Sequence, residues 1–167
     1  FYGSSSGALR AAAFAEAHPE CVSKLVLDAF VWTGKGSPTL SERARKLDQW
    51  KASNMRAVDR AFFHSIFNRD MPGTSEEGVA DALADAELAL VDAVPTGTYY
   101  DMCVNLPVCD PAKLRCPALI IRGEHDGIAT EEDLLGYYRR LPNKDKQFVV
   151  VPGQAHVSYL GVNRARF

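Results

Sequence analysis

The sequence predicts an α/β fold, a parallel sheet flanked by helices and interrupted by a long helical stretch. Three short apolar runs, KLVLDAF from Lys24, ALIIRGE from Ala118 and KQFVVVPG from Lys146, read as strands buried on both faces. Helical patterns alternate with them, which implies parallel strands joined by right-handed crossovers. The stretch between the first and second runs carries helical patterning only. It is far longer than an ordinary crossover, so it reads as a small helical subdomain set on the sheet.

Each element follows from local chemistry. From Gly7 to Ala17 the residues are small or apolar helix formers, and His18-Pro19 stops them. Gly34, Gly36 and Pro38 break the chain after KLVLDAF. Thr39 with Glu42, and Thr74 with Glu77, read as capping boxes for two helices, the second with Val79, Leu83, Ala86 and Leu90 on one face. Between them Phe62, Phe63, Ile66 and Phe67 recur at helical spacing, and prolines return at Pro95, Pro107 and Pro111. After Cys116-Pro117 comes the second strand, ended by Gly123. Thr130 with Asp133 is expected to cap a helix running to about Leu141, and HVSYLGVNRARF is expected to begin another. The division is core 1–36, helical insertion 37–111 and core 112–167.

Composition narrows the function. The chain has 167 residues, 47% hydrophobic, with a formal net charge of -2, enough for one globular core. No basic footprint points to nucleic acid, no polybasic tract to a membrane surface, and no apolar run suits a membrane helix. Cys21, Cys103, Cys109 and Cys116 form no CxxC pair and read as reduced, partly buried structural thiols, which fits a cytoplasmic setting.

The chemistry begins at GSSSG. Only Ser5 has glycine two residues to either side, Gly3 and Gly7, giving G-x-S-x-G. A nucleophile on a tight strand-to-helix turn sits at strained dihedrals with the chain packed close, so glycine is expected at both flanks. The following helix points its positive end at the site, and the Ser6 N–H can donate to an oxyanion. A serine hydroxyl needs a base, and the base needs an orienting acid. Asp126 stands just past the second strand and His156 just past the third. Functional groups gather at the carboxyl ends of strands in open α/β sheets, so Ser5, Asp126 and His156 are expected to converge. His125 reads as a loop residue, His18 as a helix-end cap, and His64 as core or pocket wall. Trp32, Phe62, Phe63, Phe67, Tyr99 and Tyr100 are candidates for an apolar substrate pocket, though ordinary packing also accounts for aromatics there.

Three segments, GSSSGALRAAAFAEAHPECVSKLVLDAF, DPAKLRCPALIIRGEHDG and VPGQAH, resemble the α/β-hydrolases, in the order nucleophile, acid, histidine. The likeness covers nearly the whole chain, although the insertion matches only in placement and helical character. Ala8 and Ala155 stand where that family often has glycine. The resemblance implies a partial α/β-hydrolase fold, with a helical lid inserted after the sixth strand and with N-terminal strands and the C-terminal end missing. It implies Ser5 as nucleophile, Asp126 as acid and His156 as base, with Asp28 at an alternative acid position, and no metal or cofactor. The expected activity is hydrolysis of a small-molecule carboxylic ester through an acyl-enzyme. An aminopeptidase of the proline iminopeptidase kind and a carbon–carbon bond hydrolase remain open, as does a ligand-binding protein without turnover. For an aminopeptidase, Glu76, Glu77, Asp81 and Asp85 are available carboxylates, though they read better as a solvated helix face. In such a piece KLVLDAF is expected to lose its neighbour and become a nearly bare edge, leaving the piece aggregated and inactive.

Overall fold

In the computed structural model, residues 1–76 and 78–167 are described. Strand β1 (Tyr2–Ser4) leads directly into helix α1 (Ser6–Ala17). Ala8, Ala11, Ala12 and Ala15 are buried on that helix, and their small side chains let it lie close against β1 and β2 (Leu25–Asp28). His18 ends α1 as expected: its N–H donates to the Phe14 carbonyl at 2.8 Å, and Pro19 follows.

The insertion contains α2 (Pro38–Ala44), α3 (Leu47–Ala52), β3 (Met55–Ala57), α4 (Arg60–Asn68), α5 (Val79–Leu88), β4 (Ala93–Pro95) and α6 (Gly97–Val104). It is therefore not wholly helical. Strands β3 and β4 pair antiparallel, Arg56 opposite Val94, and bracket the α4–α5 hairpin. Three-residue strands reading MRA and AVP carry no β signature; only their pairing in space makes them strands. Val58, Phe63 and Ala84 form a small core of their own beneath the hairpin.

The caps also differ. Ser37, not Thr39, caps α2, accepting the Leu40 N–H at 3.2 Å with Pro38 in the first turn. Thr39 turns instead to the Asp70 carboxylate. Asp59 caps α4. Gly78 precedes α5, and the expected Thr74–Glu77 box lies partly outside the described residues, at Glu77.

Strand β5 (Ala118–Gly123), helix α7 (Glu131–Arg140) and strand β6 (Lys146–Val151) complete the core. Thr130 stands at the start of α7, but its hydroxyl donates to the Lys35 carbonyl. Asp133 does not close a box either. Buried, it accepts the N–H groups of Trp32, Thr33 and Gly34 and pins the loop after β2. Three inward-facing N–H groups without an acceptor would cost more than one helix cap contributes.

The sheet is parallel, in the order β1-β2-β5-β6. Tyr2, Gly3 and Ser4 pair with Val26, Leu27 and Asp28, so β2 has a neighbour on each side. The expected bare edge belongs to β1, where Phe1 and Tyr2 are exposed. Beneath the sheet Leu25, Leu27, Phe30, Ile120, Leu134 and Tyr137 are fully buried, each aliphatic one worth about 1.5–3 kcal/mol of hydrophobic stabilisation. The expected final helix is replaced by two short 3₁₀ turns, Ser158–Leu160 and Arg164–Arg166. Extended Gly161 separates them and bridges to Ser75 in the insertion. All four cysteines are free, and Cys21 is exposed rather than partly buried. Among the described residues no helix is long and apolar enough to cross a membrane.

Candidate active site

β1 ends at Ser4 and α1 begins at Ser6, so Ser5 alone makes the turn, at φ 53° and ψ -121°. Such a conformation costs a non-glycine residue about 1–3 kcal/mol. It is held by the Ser5 N–H donating to the Asp28 carbonyl at 2.9 Å and by the Ala8 N–H donating to the Ser5 carbonyl at 3.0 Å. A Cβ on Gly3 would stand 2.5 Å from the Gly7 oxygen and 2.7 Å from the Ala8 Cα, so only glycine fits. A Cβ on Gly7 would meet nothing within 4 Å. The expectation that both flanks need glycine holds for Gly3 only.

Ser5 Oγ lies 2.8 Å from His156 Nε2. His156 Nδ1 lies 3.0 and 2.9 Å from the two oxygens of Asp126. An ionised Asp126 accepts the hydrogen bond of the Nδ1–H, which keeps the proton on Nδ1 and leaves Nε2 to accept from the serine hydroxyl. Asp126 and His156 are buried, at 3% and 5% exposure. Burial by itself would raise the Asp126 pKa. The charge and hydrogen bond of His156, with the N–H groups of Ala129 and Ile128, outweigh it and hold the carboxyl down at about 2.

The two loops are locked together by backbone. A side chain at Gly123 would overlap the carbonyl oxygens of Ala155 and Gln154, and the His125 N–H donates to Gln154 at 2.8 Å. Buried Arg122 binds the Ala129, Glu124 and Asp126 carbonyls, shaping the acid loop. An arginine inside an otherwise apolar strand was the available sequence signal for that role.

Above Ser5 and His156 opens a cavity of about 410 Å³ between the sheet's carboxyl edge and the insertion. Ser6, first residue of α1, lines it, and its N–H donates to no other group among the described residues.

A family model described as serine aminopeptidase, S33, matches residues 1–159. The chain belongs to this family of α/β-hydrolases. Among solved structures, this S33 chain is similar to a monoacylglycerol lipase from Paleococcus ferrophilus, at 17% identity and TM-score 0.64, covering 95% of this chain and 60% of that one. It is similar to a thermophilic esterase from Thermogutta terrifontis, at 23% identity and TM-score 0.60, covering 99% and 61%. It is also similar to a monoglyceride lipase from Saccharomyces cerevisiae, at 15% identity and TM-score 0.61, covering 95% and 57%. At these identities the likeness concerns the fold, and the S33 chain spans about 60% of the length of these structures. No curated protein matches it.

The other candidates fall in distinct places in the S33 fold. Asp28 makes no hydrogen bond to His156 among the described residues. Its carboxylate accepts the hydroxyls of Tyr2, Ser4 and Ser158, and burial raises its pKa. His125 is a loop residue beside a neighbouring depression. His64 lies not in a core or pocket wall but 2.9 Å from Asp81 at the insertion's surface. Phe62, Phe63 and Tyr99 line the cavity, whereas Trp32, Phe67 and Tyr100 do not. Trp32 packs against Tyr137 and donates to the Cys109 carbonyl. Phe67 is buried within the insertion. Sequence reasoning missed Arg10, Arg43, Arg56 and Arg69, all of which line the cavity. In runs such as SERARKLDQW they are indistinguishable from solvated positions.

Proposed function

We propose that this protein is a serine hydrolase that cleaves a carboxylic ester through an acyl-enzyme, with the insertion as its lid over 37–111. The chain of hydrogen bonds from Asp126 through His156 to Ser5, on the floor of a cavity, carries this reading. His156 takes the hydroxyl proton as Ser5 Oγ attacks the carbonyl carbon. The Ser6 N–H donates to the resulting oxyanion, and Asp126 stabilises the imidazolium. Collapse expels the alcohol, which takes the proton from His156. Water, activated by the same imidazole, then releases the acid. The lipase and esterase names of the structural neighbours agree with ester chemistry.

The cavity's charge favours an ester over an aminopeptidase substrate. An amino terminus needs carboxylates, and Glu87 is the single acidic residue among the described lining residues. Asp81 and Asp85 pair with Arg60, and Glu76 with Arg164, at the surface. A fluorophosphonate probe is expected to label the protein at Ser5, and Ser5→Ala to lose both labelling and ester hydrolysis, the latter by a factor on the order of 10⁴ or more. Undiminished labelling of Ser5→Ala would assign the nucleophile elsewhere.

A further inference from the structure

The serine-hydrolase reading leaves unexplained why four arginines surround the cavity of a chain whose net charge is -2. Three of them, Arg43 on α2, Arg56 on β3 and Arg69 just past α4, come from separate elements of the insertion. Tertiary structure alone brings them together.

Arg43 and Arg56 are held by aromatic and sulfur contacts rather than by carboxylates. Arg43 lies over the Tyr99 ring at 3.9 Å and Arg56 over the same ring at 4.0 Å, with Phe62 at 4.7 Å from Arg56. Arg43 also donates to Tyr99 Oη at 3.3 Å and Met102 Sδ at 3.4 Å. Among the described residues no carboxylate pairs with Arg43 or Arg56. Arg69 has Asp70 beside its Nε at 3.4 Å, but that carboxylate is also engaged by Thr39. Arg56 Nε, Arg69 Nε and Nη2, and Oδ2 of Asp70, the acid beside Arg69, are buried with no hydrogen-bond partner. Burial lowers the Arg43 pKa, Tyr99 opposes it, and the charges of Arg69 and Arg56 add to the lowering.

Arg43 and Arg56, which no described carboxylate pairs, repel each other in a lining whose acidic residue is Glu87, and buried N–H groups without acceptors cost stability. An oxyanion entering the cavity supplies the counter-charge that Arg43 and Arg56 lack. The Tyr99 ring carries Arg43 and Arg56, and Phe62 packs on Arg56, which holds these two guanidiniums at the cavity wall; a guanidinium fork suits two-point recognition of a carboxylate or phosphate. We propose that Arg43, Arg56 and Arg69 form a subsite for an anionic group at the substrate's far end from the scissile bond, so that this hydrolase acts on esters bearing a second, charged carboxylate or phosphate. The inference rests on the serine-hydrolase reading for its chemistry but not for its binding.

The test compares three activated esters of the same length: the 4-nitrophenyl monoester of adipate, its methyl-capped neutral form, and an analogue ending in phosphate. At least one anionic ester is expected to exceed the neutral one in kcat/KM by about tenfold or more, as suits hydrogen bonds to a charge. The preference is expected to shrink with salt and to collapse in Arg56→Gln and Arg43→Gln, while Arg56→Lys keeps part of it. Whichever anionic ester is preferred identifies the source of the charge. A wild-type protein that turns over the neutral ester as well as both anionic ones overturns the subsite and leaves the hydrolase standing. Equilibrium dialysis of labelled adipate and of inorganic phosphate against Ser5→Ala reads the subsite without turnover. Retention that is lost in Ser5→Ala/Arg56→Gln supports it, and no retention of either anion by Ser5→Ala overturns it, whatever the ester assay returns.

Discussion

Replacing the two glycines of G-x-S-x-G by alanine is expected to have opposite consequences. At Gly3 the new Cβ would lie 2.5 Å from the Gly7 carbonyl oxygen, and real Cβ atoms keep beyond 3.0 Å. Both atoms in the clash are backbone, so the turn and the first turn of α1 must part by at least half an ångström. Overpacking of this kind costs about 1–3 kcal/mol, which at this chain length lowers Tm by roughly 2–12 °C. Because Ser5 rides on the displaced turn and a misplacement of about 1 Å can cost 10²-fold, turnover is expected to fall on the order of 10- to 100-fold. At Gly7 the Cβ meets nothing and the residue is helical, so alanine is expected to be neutral or to add about 0.5–1 kcal/mol. Thermal melts of both variants, with the rate of fluorophosphonate labelling at Ser5, separate the cases. A Gly7→Ala variant destabilised as much as Gly3→Ala, or a fully stable and active Gly3→Ala, would refute the steric argument.

Asp126→Asn is expected to lower kcat on the order of 10⁴ by favouring the wrong imidazole tautomer, and Asp28→Asn far less, because the hydrogen bonds of Asp28 go to Ser4, Tyr2 and Ser158 and not to the histidine; steady-state kinetics that reverse this order would move the acid to Asp28. The depressed pKa of Asp126 contributes stability that is fully present above its ordinary value of 3.8 and is lost as pH falls toward about 2, so Asp126→Asn should lose stability less steeply over that acid range than wild type in acid-unfolding curves. Phe62→Ala and Tyr99→Ala should change the acyl-chain profile across a series of 4-nitrophenyl esters, while Phe67→Ala should lower Tm without altering it, since only the first two face the cavity; an unchanged profile in both cavity variants would make them packing residues. The 167-residue chain expressed alone should self-associate through the open edge of β1, where Phe1 and Tyr2 are exposed, and a monomer at every concentration in size-exclusion chromatography would contradict this.

By itself the sequence determined the elements whose signal is local: the apolar strands β2, β5 and β6, the alanine-rich α1, and a serine flanked by glycines at a strand-to-helix junction. It also determined the order of Ser5, Asp126 and His156, each at a strand's end, because strand polarity places those ends on one edge of a parallel sheet. Other features depend on partners distant in the chain and leave no local trace. Asp133 sits where a helix cap would, yet serves three N–H groups about a hundred residues away, because folding brings that loop over its carboxylate. The β3–β4 ribbon exists only once residues 55–57 and 93–95 meet. Gly3 and Gly7 look equivalent in the motif, and only the path of α1 decides which of them a methyl group would obstruct. The same holds for the cavity wall. Arg43, Arg56 and Arg69 each read as an ordinary surface charge, and it is the folding of the insertion over the sheet that turns them to the cavity wall, the first two over Tyr99, toward whatever enters above Ser5.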